Sequence, residues 1–224
     1  MRKERRLTGR ALALYCAVFY LVWGVREIVL LPIMLDALGP VAEAWAGSAV
    51  KLLIWTLPAI LLIRVFEKDM WLSLKGMLVN KADWRPYLAI AAAFCPYYVI
   101  AAYRMFGQVG VSPNFDPAAL IGAVLFVGVT EEAVFRGWLL NAALKKRPYW
   151  AALSVNAALF VVIHFPIWIS KGLFTDPLTV LSNCAGIFLL SLLFSWAFVR
   201  SKNIFVPIVL HMAWNLCNVV FIGG

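Results

Sequence analysis

The stretch Ala118-Ala-Leu-Ile-Gly-Ala-Val-Leu-Phe-Val-Gly-Val-Thr-Glu131-Glu132-Ala-Val-Phe-Arg136-Gly-Trp-Leu-Leu140 is an apolar run interrupted by three ionisable side chains. As an α-helix it is long enough to cross the hydrocarbon core of a bilayer. An ionised side chain costs a few kcal/mol there, so such residues are rare, face the protein interior or a wet cavity, and mark function by default. Glu132 and Arg136 are four apart and share a helix face, which predicts an ion pair. Glu131 lies about 100° around the helix and needs another partner. Two readings follow: a structural ion network, or a catalytic carboxylate.

Composition makes the membrane setting general. Of 224 residues, 64% are hydrophobic and only 14% charged, with a mean hydropathy of +0.88. A soluble domain is far more polar, so the chain reads as a polytopic membrane protein. Cys16, Cys95, Cys184 and Cys217 all fall in apolar runs without C-x-x-C spacing. That pattern suggests neither a disulfide framework nor a thiolate zinc site, and reads as small core residues. The net charge of +9 comes from short basic clusters between apolar runs. This distribution fits anionic headgroups and membrane topology, not nucleic acid.

Outward from the charged run, hydropathy predicts spans over 11–35, 44–63, 87–103, 118–144, 150–170, 178–199 and 204–222. The basic amino-terminus followed by an apolar stretch resembles a signal peptide at its start. No small-x-small site follows the first apolar stretch promptly, so the first span is expected to be uncleaved. An acidic turn is expected at 36–43. Over 64–86, Met70, Trp71, Leu74, Met77 and Leu78 fall on one face, which predicts an interfacial amphipathic helix. The expected fold is therefore all-α: a bundle of seven transmembrane helices, or eight if the first breaks near Arg26 or Pro32. Residues 1–224 read as a single transmembrane domain.

The basic residues orient it. Five precede the first span, five lie in 64–85, three at 145–147 and two at 200–202, while the alternate loops hold only Arg104 and Lys171. The positive-inside rule then puts the amino-terminus in the cytoplasm and the carboxy-terminus outside. Within the spans, Glu27 and Lys51 fall at similar depths and are expected to pair structurally.

Both histidines lie in spans, His164 in the fifth and His211 in the seventh. Asn215 follows His211 one turn later on the same face. At ~1.5 Å per residue from the cytoplasmic ends, Glu131 and His164 lie ~20 Å deep and His211 and Asn215 ~12 and ~18 Å, so one pocket could contain all four. The first two depths fall in the outer half of a ~30 Å core. Pro166 is expected to kink the fifth span and free backbone carbonyls for a wet cavity. A carboxylate beside an imidazole in a low-dielectric cavity can hold and deprotonate a water. A second imidazole and an amide N–H on another helix can donate to an oxyanion. That chemistry hydrolyses an acyl bond. A zinc site ligated by Glu131, His164 and His211, with water in the fourth position, is the rival. Phe160 is expected to pack against the His164 imidazole. Trp214 and Asn218 read as packing and helix contact residues, and Cys217, six residues from His211, faces away from it.

Glu131-Glu132-x-x-x-Arg136, Phe160-x-x-x-His164 and His211-x-x-x-Asn215, in that order, resemble the three motifs of the CAAX protease and bacteriocin-processing family of intramembrane endopeptidases. Each motif alone is weak; their order, spacing and membrane context make the set specific. The resemblance covers 115–224. It implies a membrane-embedded glutamic-type peptidase in which Glu131 and His164 activate water, His211 and Asn215 stabilise the oxyanion, and Glu132, Arg136 and Phe160 support the site. It implies no cofactor in the prenyl-protein branch, with zinc as the alternative.

The expected partners are membrane lipids and a membrane-associated peptide or protein substrate, lipidated or bearing a C-terminal sorting segment. The expected location is a bacterial or archaeal cell inner membrane. A proton-coupled transporter would also place Glu and His in spans, but the paired repeats and broken short segments of many transporters are missing. A non-enzymatic immunity-type protein that keeps the fold is a third class.

Overall fold

The computed structural model describes residues 2–223, with side chains from residue 9 onward. Arg2, Lys3, Arg5 and Arg6 of the basic amino-terminal cluster therefore lie outside the described side chains. Among the described residues the chain is helical with no strand. Six helices among the described residues are long and apolar enough to cross a membrane: α1 (Gly9–Leu38), α2 (Pro40–Val65), α4 (Arg85–Phe106), α5 (Pro117–Leu144), α6 (Tyr149–Ser170) and α7 (Pro177–Ser201). α8 (Phe205–Phe221) is apolar and 17 residues long, at the short end of what spans a bilayer. The short helix α3 (Leu74–Val79) lies between α2 and α4.

Local chemistry sets the helix ends. Gly39, at φ 76°, makes the whole connection between α1 and α2, and Pro40 opens α2 with its φ already fixed. The acidic turn expected at 36–43 is thus a single residue, and Glu43 lies inside a helix, buried. Asp116 and Asp176 cap α5 and α7 by accepting from the first free N–H groups. Gly107 ends α4 in the left-handed conformation that glycine adopts without penalty. α1 continues through Arg26 and Pro32 without a break, so no eighth span forms.

The amphipathic helix expected over 64–86 is replaced by turns around α3. Met70 and Met77, read as interfacial, are buried in the protein core. The backbone explains the difference. Asn141 of α5 accepts from Leu72 N at 2.8 Å, donates to Leu72 O at 2.9 Å and takes Trp71 N on its own carbonyl. Ile204 N donates to Met77 O at 2.9 Å, and Asn80 exchanges hydrogen bonds with Lys202 and Asn203. Residues 70–80 are therefore a strap tied to the ends of α5 and α7.

α5 is the centre of the bundle. It packs against α2, α6 and α8, and every residue from Val134 to Leu140 is buried. α1 lies against α2 and the end of α6, α7 joins α6 to α8, and α4 packs on α8. There Phe94, Tyr97 and Tyr98 surround Trp214, with ring centroids 4.9–5.5 Å away. Polarity runs inside out, as lipid demands. Glu132, Arg136, Asn141, Ser191 and Ser195 are fully enclosed, while Leu21, Leu53, Leu178, Leu181 and Leu189 face outward.

Candidate active site

Among the described residues, four stretches of wider, π-type winding occur, at Arg26–Leu30, Leu52–Thr56, Leu120–Phe126 and Ala133–Leu140. Such winding shifts backbone partners and recurs at functional sites. In α5, the first wide stretch leaves the Ala123 carbonyl to accept from Asn215 Nδ2 at 2.7 Å, which fixes the asparagine on α8. The second carries Arg136 inward.

Arg136 is completely buried. Its Nη1 meets Glu132 Oε1 at 3.0 Å, the pair expected from the sequence. Nη2 donates to Ser191 Oγ at 2.8 Å and to Ser191 O at 3.0 Å. The guanidinium also lies over the Phe160 ring, 4.6 Å from its centroid. Ser191, on α7, is the part of this anchor that sequence patterns did not signal.

His211 is also buried, and Nδ1 lies 2.8 Å from Glu132 Oε1. A carboxylate that accepts from Arg136 can only accept again, so Nδ1 is the donor. Nε2 then points toward Glu131, 3.9 Å from Oε2. The imidazole lies against Phe194 at 5.0 Å and Phe160 at 5.9 Å.

His164 sits where a turn at 163–164 interrupts α6. Pro166 cannot donate, and the helix tightens so that His164 N bonds Val161 O at 3.0 Å. The Phe160 carbonyl is thereby left to the imidazole, whose Nδ1 lies 2.9 Å away. A carbonyl only accepts, so Nδ1 carries the proton and Nε2 presents its lone pair. The other loosened carbonyls are taken from α1: Tyr20 OH donates to Leu159 O at 2.6 Å and Trp23 Nε1 to Ile163 O at 2.8 Å. The helix is interrupted by a turn at 163–164 beside Pro166, but these carbonyls are occupied by protein donors. Phe160 packs edge-on against the His164 ring at 5.4 Å, as expected.

Glu131, His164 and Asn215 line one cavity of about 500 Å³, a volume suited to a small ligand or a short peptide segment. His211 does not line it; it stands behind Glu131. Glu131 Oε2 receives no hydrogen bond from the protein. Asn218 lines the cavity too, beyond the packing role read from sequence.

The opposite wall, from α1 and α2, was not legible. Arg26 is gripped by Glu27 and by Glu43. Gly47 permits the grip, because a methyl there would collide with both the Arg26 and Glu43 side chains. Glu27 thus pairs with Arg26, not with Lys51 as expected. The Lys51 ammonium instead lies over the indoles of Trp23 and Trp55, 4.7 and 5.7 Å from their centroids. The missing signal was Glu43, which looked like a turn residue. Among the described residues no three His, Cys, Asp or Glu side chains stand together closely enough to hold a metal ion, Glu131, His164 and His211 included.

Fold and site together define an all-α integral membrane protein with a carboxylate–imidazole cluster inside its bundle. Residues 113–217 match the family described as type II CAAX prenyl endopeptidase Rce1-like, and every residue of the cluster on α5, α6 and α8 falls in that segment. The matched segment is the one that holds the three motifs, and the family it matches is one of proteases. Neither a curated protein nor a solved structure matches the chain.

Proposed function

We propose that this protein is an intramembrane endopeptidase that cleaves a peptide bond of a membrane-associated polypeptide with a water activated by Glu131 and His164. The observation that carries the reading is Glu131, a buried carboxylate that lines the cavity and whose Oε2 has no protein donor, beside an imidazole whose Nε2 lone pair is unused. A water between the two groups loses a proton as it attacks the carbonyl carbon, and the proton later passes to the leaving amine. His211, held through Nδ1 by Glu132 with Nε2 turned toward Glu131, and Asn215, with the N–H not engaged by Ala123, stabilise the oxyanion. Glu132 and Arg136 fix the His211 ring, and Phe160 packs against both imidazoles. The substrate is one that is lipidated or carries a C-terminal sorting segment. The location is a bacterial or archaeal cytoplasmic membrane, amino-terminus inside.

Cleavage of a quenched peptide library by protein in liposomes tests the activity. Glu131→Gln keeps the shape of the side chain and removes the proton acceptor, and should lower turnover by ~10² or more. Near-normal cleavage by the folded variant would refute the role. The mechanism uses no metal, so purified protein should hold well under one zinc per chain and stay active in chelator. Stoichiometric zinc, with activity lost on chelation and restored by zinc, would make Glu131, His164 and His211 ligands.

A further inference from the structure

The residues that line the cavity are unevenly placed along their helices. α1 contributes Trp23 to Leu35, from its second half; α2 contributes Pro40 to Lys51, from its first half. α5 adds Asp116 to Glu131, α6 adds Ile163 to Lys171, and α8 adds Asn215 to Val219. Every one of these segments runs toward the same end of the bundle, the end that carries the connections at Gly39, Asp116 and Lys171. Nothing in the lining comes from the other end. There the aromatic and aliphatic core of Phe19, Trp55, Ile63, Phe135, Trp138 and Phe198 fills the bundle, and Met70 and Met77 of the strap close it from below.

The closed end is the basic one, with Arg64 to Arg85, Lys145 to Arg147, and Arg200 and Lys202. The open end holds Lys171 and Arg104 alone among basic loop residues. Basic loops stay in the cytoplasm. We infer that the cavity opens on the extracytoplasmic face and receives an extended polypeptide segment presented outside the cytoplasm. With the peptidase reading on which the substrate part rests, the protein processes an exported or surface-displayed chain, and a cytoplasmic lipidated tail cannot reach Glu131 except by crossing the membrane. The rim offers Lys171 and Asp116, and the wall offers Lys51 and the Arg26 cluster, so the mouth suits a segment with polar backbone exposed and no strong net charge.

Accessibility decides the question without any activity. In a background with the four cysteines replaced by alanine, Lys171→Cys marks the rim, Ala119→Cys the cavity wall and Lys146→Cys the opposite face. A membrane-impermeant maleimide should label the first two in intact cells and Lys146→Cys only in inverted vesicles. Ala119→Cys reached only from the cytoplasmic side, or from neither side, would overturn the inference, as would labelling of Lys171→Cys only in inverted vesicles. A phosphatase fused after the last residue of the otherwise unaltered chain gives a second reading of orientation: it should be active, and an inactive phosphatase alongside a fluorescent cytoplasmic reporter at the same position would also overturn it. If labelling is outward but no exported peptide is cleaved, the peptidase reading fails and the outward cavity stands.

Discussion

Arg136 shows how much one buried side chain is asked to hold. Its guanidinium joins Glu132 on its own helix, Ser191 on α7 and the face of Phe160 on α6. Through Glu132 it also orients His211 on α8. Truncation leaves a carboxylate in a place without water, and breaking a buried pair costs more than the pair itself is worth. Arg136→Ala should therefore destabilise the protein by ~3–5 kcal/mol. Combining Glu132→Gln with Arg136→Met removes both charges and keeps an acceptor for His211 Nδ1. That double variant should lose clearly less than the sum of the single losses. Thermal unfolding in detergent measures all three, and strict additivity would show that the two side chains act independently.

Between elements, the site depends on how closely α5 and α8 approach. Gly128 makes that approach possible: a methyl group on it would stand 2.8 Å from Met212 Cγ and 3.3 Å from the Ile208 carbonyl oxygen. Small residues let helix backbones meet in membranes, where no hydrophobic drive from water assists association. Met212 can swing aside, but the Ile208 backbone cannot. Gly128→Val should cost ~1–3 kcal/mol by overpacking. It should also reduce cleavage at temperatures where the variant is fully folded, because α8 carries His211 and Asn215. Full activity with lowered Tm would mean that the α5–α8 spacing serves stability alone. The same scale explains the strap. Hydropathy and a 3.6-residue period gave Met70 and Met77 an interfacial face, whereas Asn141 and the α7–α8 connection draw them inward.

Across the whole molecule, the charges within the spans face inward and leucines outward, the reverse of a soluble fold. Leu189 lies at the middle of α7 and is 65% exposed. An arginine at the centre of a lipid-facing helix costs ~2.5–3.5 kcal/mol on insertion scales. Leu189→Arg should thus sharply reduce the folded protein recovered from membranes, while Leu178→Arg, at the helix end, should be tolerated by reaching the headgroups. Equal recovery of the two would place α7 away from lipid.

Sequence alone determined the all-α membrane class, the seven apolar helices, the Glu132–Arg136 pair and the motif residues that share a cavity, because hydropathy and i, i+4 spacing are local properties of the chain. The seating of His164 followed partly from Pro166, whose missing N–H is also local. What only the tertiary structure decided are contacts between helices distant in sequence. Glu43 rather than Lys51 completes the Arg26 cluster, Ser191 anchors Arg136, and Trp23 and Tyr20 occupy the carbonyls that the α6 turn loosens. His211 is set behind Glu131 instead of in the cavity wall by the same kind of contact, its bond to Glu132 across the α5–α8 interface. Such partners are chosen by the rotation and close approach of packed helices, and no periodicity within a single helix encodes which neighbour it will meet.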